Sequence, residues 1–312
     1  MINQDILWVS KYRPKCVEEC ILPEQIKKTL IGYRETGTVP NLLISGSAGI
    51  GKTSSIIALV QELGMDYIMI NGSNENGVDV LRTKITNYAS SVSLTGGRKV
   101  VIIDEADYLT PQAQAIFRGV IEEFAGNCSF VFTCNYKNRL IDPLHSRCAV
   151  IDYKLPVDEK PLLAQVFMTR VEAILKEEGV EYDRKVVIQL VKKHFPDFRR
   201  VLGELQRYSV SGKIDVGILA ATANTNITEL IGYLKQKDFR AMRTWVGQNA
   251  GNDDQKIMRE IYDNINEIVK PECGPILVVL AGKYMYQSAF CQDKEVNLAA
   301  FLTEILLECE MK

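Results

Sequence analysis

Little in this sequence would build a metal centre or a disulfide scaffold. Its 312 residues include two histidines, His145 and His194, and both are isolated from any ligand cluster. Of the eight cysteines, at 16, 20, 128, 134, 148, 273, 291 and 309, only Cys16 and Cys20 are close, and no C-x-x-C pairs occur. That excludes a zinc ribbon and a disulfide framework and leaves reduced thiols, several of them buried. Neither sign of charge is in excess. Lys plus Arg at 37 against Asp plus Glu at 39 gives a net charge of −2, so any contact with nucleic acid must be a local patch. No apolar run reaches membrane-spanning length, and the opening Met-Ile-Asn-Gln-Asp lacks the charged and apolar regions of a signal peptide, so a soluble, cytoplasmic protein is expected. Internal repeats and low-complexity segments are also missing.

What is present is core material and one phosphate-binding pattern. With 46% hydrophobic residues over this length, two or three domains are expected. Residues 46–53 read Gly46-Ser47-Ala48-Gly49-Ile50-Gly51-Lys52-Thr53, which fits G-x-x-x-x-G-K-[ST], and Ser54 continues the run. An apolar stretch, 41–45, precedes it, and helix-forming residues 52–63 follow, ending at Gly64. Strand, glycine-rich loop and helix is the context in which this pattern acquires a physical meaning. The glycines let the backbone curl until successive N–H groups face phosphate oxygens, and the helix N-terminus adds positive potential there. Lys52 would reach the β- and γ-phosphates of ATP, and the Thr53 hydroxyl would hold Mg²⁺.

Through residue 153, short apolar runs alternate with helical stretches. Strands are expected at 67–71, 100–103, 129–133 and 149–151, with helices at 25–33, 78–92 and 111–124. Such alternation predicts a parallel sheet covered on both faces. After Pro156 the strands stop and helices are expected at 158–178, 184–194, 198–208 and 215–223. A polar break at 223–226 leads to five more helices: 228–235, 239–249, 253–269, 274–290 and 294–311. The domains are accordingly set at 1–154, 155–224 and 225–312.

The strand at 100–103 runs straight into Asp104 and Glu105. A buried strand holds both carboxylates rigidly at the edge beside the phosphate loop. Asp104 would bind Mg²⁺ through water, and Glu105 would orient or deprotonate the attacking water. Asp104-Glu105-Ala106-Asp107 also spells DEAD. A DEAD-box helicase needs a second α/β domain, and nothing beyond Pro156 has that pattern. Asn135, leaving the next strand, is either a turn residue or a ligand of the γ-phosphate or lytic water. Arg147, in Ser146-Arg147-Cys148, is either a surface residue or a guanidinium offered to a phosphate held by a neighbouring subunit. Asp197 is placed as an N-cap, and Arg199 follows in the same first turn, where it opposes the helix dipole and so suggests an external anion.

Taken together, these residues resemble the clamp-loader branch of the AAA+ ATPases. Trp8 to Pro14 looks like the W-x-x-K-Y-R-P box of replication factor C subunits, whose backbone cradles adenine, which implies nucleotide contacts from Tyr12, Arg13 and Pro14. Ser146-Arg147-Cys148 is similar to the family's SRC motif, which supplies an arginine finger in trans. Asn135 and Arg199 fall where its sensor 1 and sensor 2 sit. Phe195-Pro196-Asp197-Phe198-Arg199 and Gly203-Glu204-Leu205 look most like the large subunits of T-even bacteriophage clamp loaders. The resemblance implies an α/β AAA+ P-loop domain with a parallel sheet, then a helical lid, then an all-helical collar. It also implies four copies joined to one distinct small subunit, a sliding clamp and primer–template DNA as partners, and ATP and Mg²⁺ as ligands. Arg82, Lys84, Gln114 and Arg118 lie on the two helices that would line the DNA channel; each is either a phosphate contact or part of a solvated helix face. Two departures stand out. The phosphate loop carries Gly46-Ser47-Ala48-Gly49-Ile50 where the family often has Pro and Thr, and His145 replaces the usual glutamine before SRC.

Overall fold

A computed structural model describes residues 7–74, 77–93, 97–210, 212–214, 227–249 and 254–312. The chain divides into two compact units, residues 1–218 and 219–312. The expected helix at 215–223 and the expected 224/225 domain boundary lie outside the described residues.

The first unit is built on five parallel strands: β1 (Leu42–Gly46), β2 (Tyr67–Asn71), β3 (Lys99–Asp104), β4 (Cys128–Cys134) and β5 (Ala149–Tyr153). Their order across the sheet is β2-β3-β4-β1-β5. β4, buried along its whole length, therefore lies between the strand that feeds the phosphate loop and the strand that ends in Asp104. The apolar runs are long because both faces of the central strands are covered. Leu42, Ile44, Val100, Ile102 and Val131 face α2 (Glu24–Thr36) and α3 (Lys52–Glu62). Their neighbours Leu43, Val101, Ile103, Phe130 and Phe132 face α4 (Val78–Ser90), α5 (Pro111–Glu123) and α6 (Asp142–Arg147). α5 starts at Thr110, whose hydroxyl accepts from the Ala113 N–H, with Pro111 at the first position. Lys99, buried at the start of β3, donates to the carbonyls of Tyr88 and Ser91 and so closes the end of α4. The N-terminal box begins with the short helix α1 (Trp8–Lys11).

Beyond Pro156 come α7 (Lys160–Glu177), α8 (Arg184–His194) and α9 (Phe198–Ser209). One expectation needs correction here, because strands do not end with β5. β6 (Glu181–Tyr182) and β7 (Lys213–Ile214) form a parallel pair of two residues each, too short for any periodicity to reveal.

The second unit is built of helices, α10 (Ile227–Lys235), α11 (Phe239–Gln248), α12 (Asp254–Asp263), α13 (Ile265–Ile268), α14 (Gly274–Ser288) and α15 (Lys294–Glu308), with one antiparallel bridge between Val269 and Met311. The expected single helix at 253–269 is broken at Asn264, whose side chain donates to the Glu260 carbonyl at 2.8 Å and competes with the helix ladder. Trp245, Met258, Leu277, Phe301 and Leu302 are among the residues of its core. Among the described residues no helix is long and apolar enough to cross a membrane.

Phe117 of α5 is fully buried, edge-on to Phe130 and Phe132 at centroid distances of 6.4 and 5.0 Å. Phe117→Ala is expected to lower stability by about 3–5 kcal/mol, read from urea unfolding curves; a loss below 1 kcal/mol would show that this face of the sheet repacks freely.

Candidate functional site

The glycine-rich loop between β1 and α3 adopts backbone angles that side chains resist. Gly49 has φ +74° and Gly51 φ +95°, both left-handed. This curl brings the loop carbonyls back over the start of α3. The ammonium of Lys52, 8% exposed, donates to the carbonyls of Gly46 and Ser47 and to Oδ1 of Asn135, each at 2.8 Å. Burial pulls its pKa down, which the nearby Cys134, Asp104 and Asp107 partly oppose. Ile50 turns its side chain into the core beneath α3, so only its backbone is available to a ligand.

Asp104 ends β3 with Oδ1 accepting from the Thr53 hydroxyl at 2.7 Å and from the Thr133 hydroxyl of β4. Hydroxyl and carboxylate oxygens are the donors that suit Mg²⁺, so Thr53 and Asp104 fit that ion, with Thr133 beside them. Glu105 follows with φ 55° and ψ 42°, a left-handed conformation costing a non-glycine residue about 1–3 kcal/mol. Gly72 buttresses it from the end of β2. A Cβ there would come within 2.6 Å of the Glu105 carbonyl oxygen, and the Gly72 N–H donates to the Asp104 carbonyl at 2.8 Å.

One pocket joins these groups to the helices that follow the sheet. It is lined by Tyr12, Arg13 and Pro14 of the N-terminal box, by Ala48, Gly49, Gly51, Lys52, Thr53 and Ser54 of the loop and α3, and by Asp104, Glu105 and Asn135. Arg199 of α9 completes the polar wall, while Phe167, Ile174, Phe198 and Leu202 supply an apolar one. α9 touches the loop directly: the Phe198 N–H donates to the Gly49 carbonyl at 3.1 Å. Asp197, which caps α9 through the Arg200 N–H, packs so close that a Cβ on Gly49 would lie 1.8 Å from its Oδ1.

The N-terminal box is tied to the same helices. Glu178, just past α7, accepts from Tyr12 at 2.6 Å and Lys11 at 2.8 Å, and the Trp8 N–H donates to Gln206 of α9 at 2.9 Å. Lys11 and then Tyr12 hold the Glu178 carboxyl below its ordinary range. The tether is therefore intact above that range and is lost as pH falls through the lowered value.

Several expected residues lie elsewhere. Arg147 does not line the pocket; its guanidinium donates to Glu122 at 2.7 and 3.0 Å and to the Pro143 carbonyl at 3.1 Å. His145 is bonded within its own chain, Nε2 lying 3.0 Å from the Lys137 carbonyl. Arg82 and Lys84 on α4 and Arg118 on α5 are exposed. Gln114 corrects the reading of that surface. It is 1% exposed, donates to the carbonyls of Leu109 and Arg139, and accepts from the Ile141 N–H, so it holds α5 against a neighbouring loop and cannot reach a phosphate. Sequence reasoning missed Thr133, Gly72, Glu178 and Arg170, the last a further arginine lining the pocket. The spacing of Phe167, Arg170 and Ile174, three and four apart on α7, was the available signal for Arg170.

Gly49→Ala would force a side chain into a left-handed position and against Asp197. Affinity for a fluorescent ATP analogue is expected to fall roughly tenfold or more; an unchanged binding curve would mean that the loop and α9 do not need this contact.

Comparison with known proteins places these elements in a lineage. Residues 42–154 match the AAA family, ATPases associated with various cellular activities. Residues 158–220, which carry Arg199, match the AAA+ ATPase lid domain of the sliding-clamp-loader large subunit. The sliding-clamp-loader large subunit of Enterobacteria phage T4 is 35% identical over 311 residues, 97% of this chain and 95% of that protein. A replication factor C small subunit from Methanocella arvoryzae is 35% identical over 229 residues, 71% of this chain and 69% of that one. Among solved structures, Thermotoga maritima RuvB, a Holliday junction branch migration motor, shares the fold with a TM-score of 0.52 at 20% identity, covering 83% of this chain and 81% of its own. Since the phage relative is matched over 97% of this chain and the lid family lies on the segment that supplies Arg199 and the apolar wall of the pocket, this chain belongs to the clamp-loader family of AAA+ ATPases.

Proposed function

We propose that this chain is the ATP-hydrolysing subunit of a loader that opens a sliding clamp, places it on primer–template DNA and releases it on hydrolysis. The observation that carries the reading is the meeting of Lys52, Asn135, Thr53 and Asp104 at the mouth of the sheet, in a pocket that Arg199 also lines while Arg147 stays outside it. With Arg147 outside the pocket of its own chain, the arrangement fits an assembly in which each copy offers that arginine to its neighbour's phosphate.

In this reading the N-terminal box around Tyr12, Arg13 and Pro14 receives the adenine, and the loop N–H groups from Gly46 to Thr53 take the phosphates. Lys52 trades its loop carbonyls for the β- and γ-phosphate oxygens. Thr53 and Asp104 would hold Mg²⁺, which would supply charge neutralisation on the transferred phosphoryl group. Glu105 orients and deprotonates the attacking water, Asn135 positions it against the γ-phosphate, and Arg199 carries the nucleotide state into the lid. Residues 155–224 would be that lid and 225–312 a collar that joins four copies and one small subunit into an open pentameric spiral. Arg82, Lys84 and Arg118 would meet the DNA backbone on the inner face of the spiral. A phage-encoded protein of this kind would work in the host cytoplasm. The helicase reading of the DEAD letters gains nothing from the fold, because the described residues after β5 hold only helices, one two-residue strand pair and one bridge.

ATPase activity of the full assembly is expected to rise synergistically with clamp and primer–template DNA together; no response to either would overturn the loader assignment. Arg147→Ala and Glu105→Gln should each lower turnover on the order of 10²-fold or more while ATP still binds. Mixing the two variants should restore activity above either alone, because an intact Glu105 then meets an intact Arg147 across some interfaces. If no mixing ratio exceeds the separate variants, the arginine does not act in trans.

A further inference from the structure

The last acidic residue of the DEAD run has no part in the chemistry outlined above, yet it is placed with care. Asp107 sits in the single 3₁₀ turn Ala106–Tyr108 that follows Glu105, and it is 6% exposed. Its Oδ2 accepts from two successive backbone N–H groups across the sheet edge, Asn135 at 3.3 Å and Tyr136 at 3.2 Å. Its Oδ1 is buried without a hydrogen-bond partner among the described residues. A buried carboxylate with half its acceptor capacity unused is a poor device for stability, since desolvation is only partly offset. Such a breach of packing rules is characteristic of residues retained for a site.

What the bonds accomplish is local. They hold the chain as it leaves β4, at the residue whose side chain reaches Lys52: Asn135 Oδ1 lies 2.8 Å from the ammonium. The carboxylate also opposes the effect of burial on Lys52. Four successive residues, from the end of β3 into this turn, thus carry the proposed Mg²⁺ ligand Asp104, the proposed base Glu105 and a third acid that reaches sideways to the chain leaving the neighbouring strand.

We propose that Asp107 is a positioning residue for Asn135: by gripping the N–H groups of Asn135 and Tyr136 it fixes where the Asn135 amide stands relative to Lys52 and the γ-phosphate. The proposal rests on the ATPase reading above. It predicts that Asp107 acts only through Asn135, and a double-mutant cycle separates that from a general structural role.

The experiment compares wild type, Asn135→Ala, Asp107→Ala, Asp107→Asn and the double variant Asp107→Ala/Asn135→Ala in the full assembly with clamp and primer–template DNA. ATP turnover is measured beside the affinity for a fluorescent ATP analogue. Asp107→Ala should lower turnover about tenfold or more, to within about threefold of Asn135→Ala, and leave nucleotide affinity within about threefold of wild type. The double variant should be no slower than Asn135→Ala alone. Asp107→Asn, which keeps an acceptor oxygen, should recover most of the activity. If Asp107→Ala does not fold, the cycle is run with Asp107→Asn, whose smaller loss must vanish in the Asn135→Ala background. Losses that multiply, a normal rate for Asp107→Ala, or a loss confined to nucleotide affinity would each overturn the proposal. A wild-type assembly indifferent to clamp and DNA would instead sink the loader reading, because the comparison among variants stands on any ATPase rate the wild type shows.

Discussion

Everything at the mouth of the sheet depends on where one buried ammonium is held. Lys52 is removed from water, and its ammonium donates to three oxygens, from Gly46, Ser47 and Asn135, that close around it. Two of those oxygens belong to a loop that can curl so tightly only because glycines accept left-handed angles. The third belongs to the residue that directly follows β4, the strand between β1 and β3. Strand order thus becomes a chemical condition: with β4 in the middle, a side chain from its end reaches the lysine on one side, and Thr133 reaches Asp104 on the other.

The same economy explains the turn after β3. A residue following a rigid strand can be aimed only by bending the backbone, and Glu105 is aimed by a left-handed bend that Gly72 accommodates from the neighbouring strand. The bend starts the 3₁₀ turn, and that turn brings Asp107 back toward β4. Three acids within four residues are therefore set apart in space by the tightness of the turn, as the three proposed roles would require.

Much of this was legible in the amino-acid sequence. The loop pattern, the apolar run ending in Asp104 and Glu105, the cap at Asp197 and the parallel sheet all rest on local rules, namely spacing, burial and capping. The illegible parts are those set by distant neighbours. Gln114 reads as a polar residue on a helix surface, and only the fold reveals that the loop at 139–141 lies over it. Glu178 reads as one acid in a charged helix end, although it ties down the N-terminal box from far along the chain. Strands β6 and β7 carry too few residues for any alternation. Arg147 could be singled out from its motif, but its pairing with Glu122 across α5 could not.

The attachment of the N-terminal box has a mechanical meaning. Tyr12, Lys11 and Trp8 are bonded to Glu178 and Gln206, which lie past α7 and on α9, while the phosphate loop grows from β1. The slot beside Tyr12 is thus anchored on the helices, and the cradle around Lys52 on the sheet. A rigid molecule seated at both ends would act as a gauge block between them, setting one tilt of the helices and rejecting the rest.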